Sequence, residues 1–127
     1  MRSYVFDASA ALALLLGEPG ADRVNELRSC GIWSTINYAE VLTRLSQLSG
    51  SPEGTRLRVD RLELVPIPLD VEQAALAASL RTVAKPLGLS LADRCCLALA
   101  MIRQLPVLTG DRKWQQAGLD LEIILIR

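Results

Sequence analysis

The sequence contains no histidine. That absence excludes any mechanism in which paired imidazoles serve as acid and base, including metal-free RNA cleavage of that kind. Cysteine is scarce as well: Cys30, Cys95 and Cys96 make an odd number, with no Cys-x-x-Cys spacing. Without histidine, such a set does not predict a tetrahedral zinc site. The adjacent pair lies in an apolar helical stretch, where small thiols serve as packing residues, and free thiols suit a reducing cytoplasm. Aromatic side chains number only five, although half of the residues are hydrophobic. The core is therefore expected to be Leu, Val, Ile and Ala, a composition that favours helices packed on a sheet.

Net charge is also missing. Fourteen basic residues face fourteen acidic ones, so no global field attracts or repels a polyanion. Twelve of the basic residues are Arg, whose planar fork suits bidentate phosphate contacts. Long apolar runs are absent but for residues 8–16, which follow Arg2 and have the length of a signal-peptide hydrophobic region. Asp7 sits directly against that run, and Gly17-Glu18-Pro19-Gly20 reads as a loop rather than a cleavage site. No other stretch approaches membrane-spanning length. The expectation is a soluble cytoplasmic protein with no membrane partner.

What is present is an alternation. The 127 residues suffice for one domain, 1–127, without disulfide or zinc staples. Strands are predicted over 3–6, 31–34, 64–67, 106–108 and 122–126, with Pro66 and Pro68 pushing the third towards a sheet edge. Helices are predicted over 8–16, 21–28, 36–48, 53–62, 70–83, 91–102 and 113–117. Strands alternating with helices imply an α/β fold, a three-layer α/β/α sandwich around a central, mostly parallel sheet.

Four acids stand where apolar runs give way to the next element: Asp7, Glu40, Asp93 and Asp111. Each has an ordinary alternative. Asp7 and Asp111 can cap the helices that follow, and Asn37-x-x-Glu40 and Ser90-x-x-Asp93 both have capping-box spacing. Their topology suggests more. In an open parallel sheet, strand carboxyl ends and the amino ends of the following helices share one edge, where such folds place ligands. Asp7 and Asp111 follow strands, and Glu40 and Asp93 are read in the first turns of helices that follow loops. Clustered carboxylates repel one another unless a cation neutralises them. Oxygen donors without nitrogen or sulfur suit Mg²⁺ or Mn²⁺, ions that act on phosphates and lower the pKa of bound water. Ser9 and Thr109, each two residues from an acid, either orient a carboxylate or cap the backbone. Arg94 and Arg112 follow cluster acids and are read as solvated.

The motifs Val5-Phe6-Asp7-Ala8-Ser9-Ala10, Asn37-Tyr38-Ala39-Glu40-Val41, Leu89-Ser90-Leu91-Ala92-Asp93 and Leu108-Thr109-Gly110-Asp111 occur in that order across the chain. In this the sequence resembles the PIN-domain family, and in particular the VapC-type toxin ribonucleases of toxin–antitoxin pairs. The resemblance implies an acidic catalytic site at Asp7, Glu40, Asp93 and Asp111. Asp7 and Asp93 would bind metal directly, and Glu40 and Asp111 would complete the coordination, directly or through water. It further implies Mg²⁺ or Mn²⁺ dependence, RNA hydrolysis leaving a 5′-phosphate, a homodimer, and a small antitoxin whose extended tail blocks the groove. Two alternatives remain open: a PIN-domain nuclease of RNA processing with no antitoxin, and a catalytically inert PIN-like module that binds RNA or protein.

Overall fold

Short apolar segments flanked by helices become, in the computed structural model, which describes residues 2–127, a parallel sheet covered on both faces. Strand β1 (Tyr4–Phe6) leads into α1 (Ala8–Leu16) and α2 (Ala21–Leu27), and a 3-10 turn then delivers β2 (Gly31–Ser34). Helices α3 (Thr35–Ser49) and α4 (Pro52–Asp60) precede β3 (Val65–Ile67). Helices α5 (Val71–Ser79), α6 (Arg81–Ala84) and α7 (Leu91–Arg103) lead to β4 (Val107–Thr109). A 3-10 helix, Arg112–Ala117, separates β4 from β5 (Ile123–Leu125).

The strands lie in the order β3-β2-β1-β4-β5, all parallel. Strand β3 is an edge strand, as its prolines predict, because Pro66 has no amide to donate to a second neighbour. Period-two alternation divides the apolar side chains between two cores. Phe6, Trp33 and Leu108 face the cluster formed with α1, α2, α3 and α4. Val5, Ile32, Val107 and Ile123 face the cluster formed with α6 and α7. Helix α5 packs on α7 through Ala77, Cys95 and Ala98. Cys95 and Cys96 are free and buried, the packing role their surroundings predict. Among the described residues, no helix is long and apolar enough to cross a membrane.

Two helices differ from the sequence reading. The helix predicted over 70–83 breaks at Leu80, whose ψ of 0 closes α5 with an amide shared between the carbonyls of Leu76 and Ala77. Burial of Leu80 and Ala84 in the second core redirects the chain there, a tertiary effect that Ala and Leu propensity does not register. The helix predicted over 36–48 begins at Thr35 instead, directly from β2, with Ser34 as its cap.

Gly31 opens β2 where the sheet has no room for a side chain: a Cβ there would collide with the Leu64 side chain and lie 2.9 Å from Phe6 Cε1. Gly31→Ala is expected to lower stability by about 1–3 kcal/mol through overpacking. Denaturant unfolding measures this, and an unchanged midpoint would show that Leu64 swings clear at little cost.

Candidate metal centre at the carboxyl edge of the sheet

The chain leaves β1 for β2 and β3 on one side, then returns to β4 on the other, so its path diverges between β1 and β4. A crevice at the carboxyl ends of strands is expected at such a switch point. Asp7, the residue after β1, occupies it. Its amide donates to the Leu108 carbonyl at 3.1 Å. Its Oδ1 accepts from the Ala10 amide at 2.8 Å and from Ser9 Oγ at 2.7 Å. Thr109 Oγ1, at the end of β4, donates to Oδ2 at 2.5 Å. Ser9 Oγ in turn accepts from the Gly110 amide at 2.8 Å, and Thr109 Oγ1 accepts from the Asp111 amide at 3.0 Å. The sequence left both hydroxyls open between capping and orienting a carboxylate. They orient Asp7 and brace the turn after β4 together.

Asp7 is only 4 % exposed. Burial pushes its carboxyl from 3.8 up to about 6, against the hydrogen bonds from Thr109, Ala10 and Ser9, and the negative charge of Asp93 adds to the rise. Glu40 is also raised, first by burial and then by Asp93, while the Asn37 hydrogen bond opposes the shift. The buried Cys96 thiol, whose Sγ lies 3.8 Å from the Phe6 carbonyl oxygen, is held well above its usual range by burial and by the charges of Asp7, Asp93 and Glu40. Three acids, one following β1 and the others from α3 and α7, therefore share one electrostatic neighbourhood.

Asp93 lies in the first turn of α7 and completes a capping box. Its amide donates to Ser90 Oγ at 3.1 Å, and its Oδ2 accepts from the Ser90 amide at 2.9 Å. Asp111 caps the 3-10 helix, accepting from the Lys113 amide at 3.0 Å, and joins the others through its own amide on Thr109. The capping explanation therefore holds for Asp7, Asp93 and Asp111 without removing their carboxylates from one edge. It fails for Glu40. Because α3 starts at Thr35, Glu40 sits in the second turn rather than the first, and no loop precedes the helix. Among the described residues, no three acidic or thiol groups stand close enough together to hold an ion as they are.

Asn37 is the residue that sequence reasoning cast only as a cap. It is 1 % exposed, and its Nδ2 donates to Glu40 Oε1 at 2.8 Å and to the Ala92 carbonyl at 3.4 Å, joining α3 to α7. An amide three residues before an acid on one helical face was the available signal. Arg94 departs from its solvated reading. It is half-buried, with Nη1 donating to the Ala77 carbonyl at 3.2 Å, whereas Arg112 is exposed as expected.

The raised Asp7 carboxyl has a signed consequence for the ion-free protein. A folded value of about 6 above an ordinary 3.8 gives a contribution that is full below the lower value and lost as pH rises through the higher one. Asp7→Asn, which keeps the cap, is expected to raise ion-free stability at neutral pH by roughly 1–3 kcal/mol. Denaturation in chelator on either side of that window tests this; a variant no more stable than the parent at neutral pH would refute it.

The family model described as the PIN domain matches residues 4–119. No curated protein matches the sequence. Among solved structures, DNA-bound VapBC from Salmonella typhimurium aligns at 19% identity and TM-score 0.79, covering 100% of both chains. A toxin–antitoxin complex from Klebsiella pneumoniae aligns at 21% identity and TM-score 0.74, covering 98% of both. VapBC-1 from nontypeable Haemophilus influenzae aligns at 21% identity and TM-score 0.73, covering 97% of both. At such identities these likenesses speak for the fold, and the family is carried by the match across nearly the whole length: the chain belongs to the PIN-domain family.

Proposed function

We propose that the chain is the ribonuclease toxin of a toxin–antitoxin pair, hydrolysing RNA phosphodiester bonds with Mg²⁺ or Mn²⁺. The ion would be held by Asp7 and Asp93, with Glu40 and Asp111 completing the site directly or through water. One observation carries the reading: Asp7, 4 % exposed at the sheet's switch point, is held away from water with the negative charge of Asp93 acting on it. An anion desolvated in that way gains most from a cation.

The donor set suits the ion. Magnesium keeps several waters and takes only one or two carboxylates from the protein, so three converging side chains are not required. Oxygens remain available: Asp93 engages Oδ2 in its cap and Glu40 engages Oε1 with Asn37, and neither second oxygen has a hydrogen bond among the described residues. A divalent cation there would supply positive charge to a phosphodiester's oxygens and lower the pKa of water. The chain's own residues hold the carboxylates in place for it. Ser9 and Thr109 fix Asp7, Asn37 fixes Glu40, and the Ser90 box fixes Asp93.

The toxin–antitoxin reading draws support from the toxin–antitoxin complex and the two VapBC structures among the similar folds. A cognate antitoxin, a homodimer and a cytoplasmic location belong to the same proposal. The inert binding module is the second reading, favoured by the commitment of Asp93 to its capping box.

RNA cleavage is expected with Mg²⁺ or Mn²⁺, to be lost in chelator, and to fall to that background in Asp7→Asn and Asp93→Asn. Undiminished cleavage by either variant would overturn the assignment. Mn²⁺ at a hundredfold excess over its dissociation constant should stabilise the parent by about 2.7 kcal/mol, and a flat melting curve would favour the inert module. Asn37→Ala, by freeing Glu40, should weaken Mn²⁺ binding about 10–100-fold; unchanged affinity by titration would make Asn37 purely structural.

A further inference from the structure

We propose that the cleft between the α6 turn and the amino end of α7, lined by Arg81, Lys85 and Arg94, is a subsite for a backbone phosphate of single-stranded RNA. This rests on the ribonuclease reading above and names how that substrate is held. The cleft encloses ≈ 240 Å³, with Ala84 and Leu89 as its apolar floor. Arg81 and Lys85 are exposed on its rim, and the half-buried Arg94 forms its wall. Arg94 anchors Nη1 on the Ala77 carbonyl, while its buried Nε has no hydrogen-bond partner among the described residues. Lys113 extends the cationic edge towards Asp111: a Cβ on Gly88 would lie 4.0 Å from its Nζ.

Among the described residues, none of these four cations pairs with an acid: the ion pairs are Arg2 with Glu122 and Arg56 with Asp60, both elsewhere. Unpaired cations concentrated in one cleft repel each other and are stabilised by an anion. The position supplies the anion's identity. Leu89 and Arg94 flank the Ser90–Asp93 box, so the cleft opens beside the acidic centre. A polyanion is repelled by Asp7, Glu40 and Asp93, and a protein with no net charge has no general field to overcome this. Affinity for RNA must then come from local cations outside the acidic centre, which contact phosphates next to the one being cut. The guanidinium fork of Arg81 suits that contact; Arg94, with Nη1 on the Ala77 carbonyl and Nε buried, adds positive charge from the wall, and the stem of Lys85 gives a point charge with reach.

The test uses the full chain and a short fluorescent single-stranded RNA of mixed sequence, in chelator so that no cleavage occurs. Arg81→Ala combined with Lys85→Ala removes two exposed side chains that make no ion pair, so the fold should hold, as melting would verify. Binding should weaken about tenfold, and the slope of log affinity against log salt should fall by about 0.7, the value for one phosphate of a single strand that is no longer neutralised. Arg23→Ala with Arg103→Ala removes equal charge at other exposed positions and should change both far less. Equal losses in the two double variants, or none in the cleft variant, would overturn the subsite. So would a cleft variant that loses poly-glutamate binding while keeping RNA, since the occupant would then be an acidic peptide. With Mg²⁺ present, the cleft variant should raise KM and leave kcat nearly intact. Normal cleavage at an unchanged KM defeats the subsite alone, whereas parent protein that binds RNA through the cleft but never cuts defeats only the ribonuclease reading.

Discussion

The burial of one carboxylate at the place where the chain reverses its path through the sheet constrains everything around it. Asp7 is cut off from water, and a buried anion must be hydrogen-bonded or paired. Its partners come from both sides of the reversal: Ser9 and the Ala10 amide from the start of α1, and Thr109 from the end of β4. Those groups meet only because β1 and β4 pair in parallel with Phe6 opposite Leu108. A slip of one residue would turn Thr109 to the other face of the sheet. The apolar layers on each face hold that register, so the cores and the polar site depend on the same pairing.

The remaining acids reach this edge because of how helices meet a parallel sheet. Helix α3 starts directly from the carboxyl end of β2, and α7 ends beside the beginning of β4, which puts both amino ends at the same edge. Asp93, in the first turn of α7, therefore lies at the positive end of a helix dipole, which offsets part of its repulsion, whereas Glu40 sits one turn deeper in α3. Burial raises the Asp7 and Glu40 carboxyls, and the charge of Asp93 adds to the rise in both. A carboxylate desolvated beside other acids is the feature on which the proposed site rests.

Charge is sorted over the molecule rather than accumulated. Asp7, Glu40 and Asp93 share the edge at the switch point, and Arg81, Lys85, Arg94 and Lys113, none of them ion-paired among the described residues, stand on α6, the 3-10 turn after it, α7 and the 3-10 helix after β4. An acidic centre flanked by cations suits a substrate that must bring negative charge to a cation without being attracted everywhere else. The net neutrality of the sequence is what such a division leaves in sum.

Local chemistry was enough to foresee most elements and the placement of Asp7 and Asp111 after strands and of Asp93 in a first helical turn. Period-two and helical spacing marked the strands and helices, prolines marked β3 as an edge, and acids at strand ends marked the carboxyl edge of the sheet. What escaped was decided by contacts between distant segments. The break at Leu80 comes from its burial in the second core; the placement of Glu40 one turn deeper comes from Ser34 taking over the cap. Asn37 looked like a helix start until the packing of α3 on α7 gave its amide two partners. Arg94 looked solvated until α5 offered it a carbonyl. By itself the sequence determined which residues carry oxygen donors and which segments are strand or helix, because these follow from residue type and short-range periodicity. Only the tertiary structure decided which carboxylate is desolvated and which side chains face it, because burial and electrostatic coupling depend on distances between segments as much as a hundred residues apart.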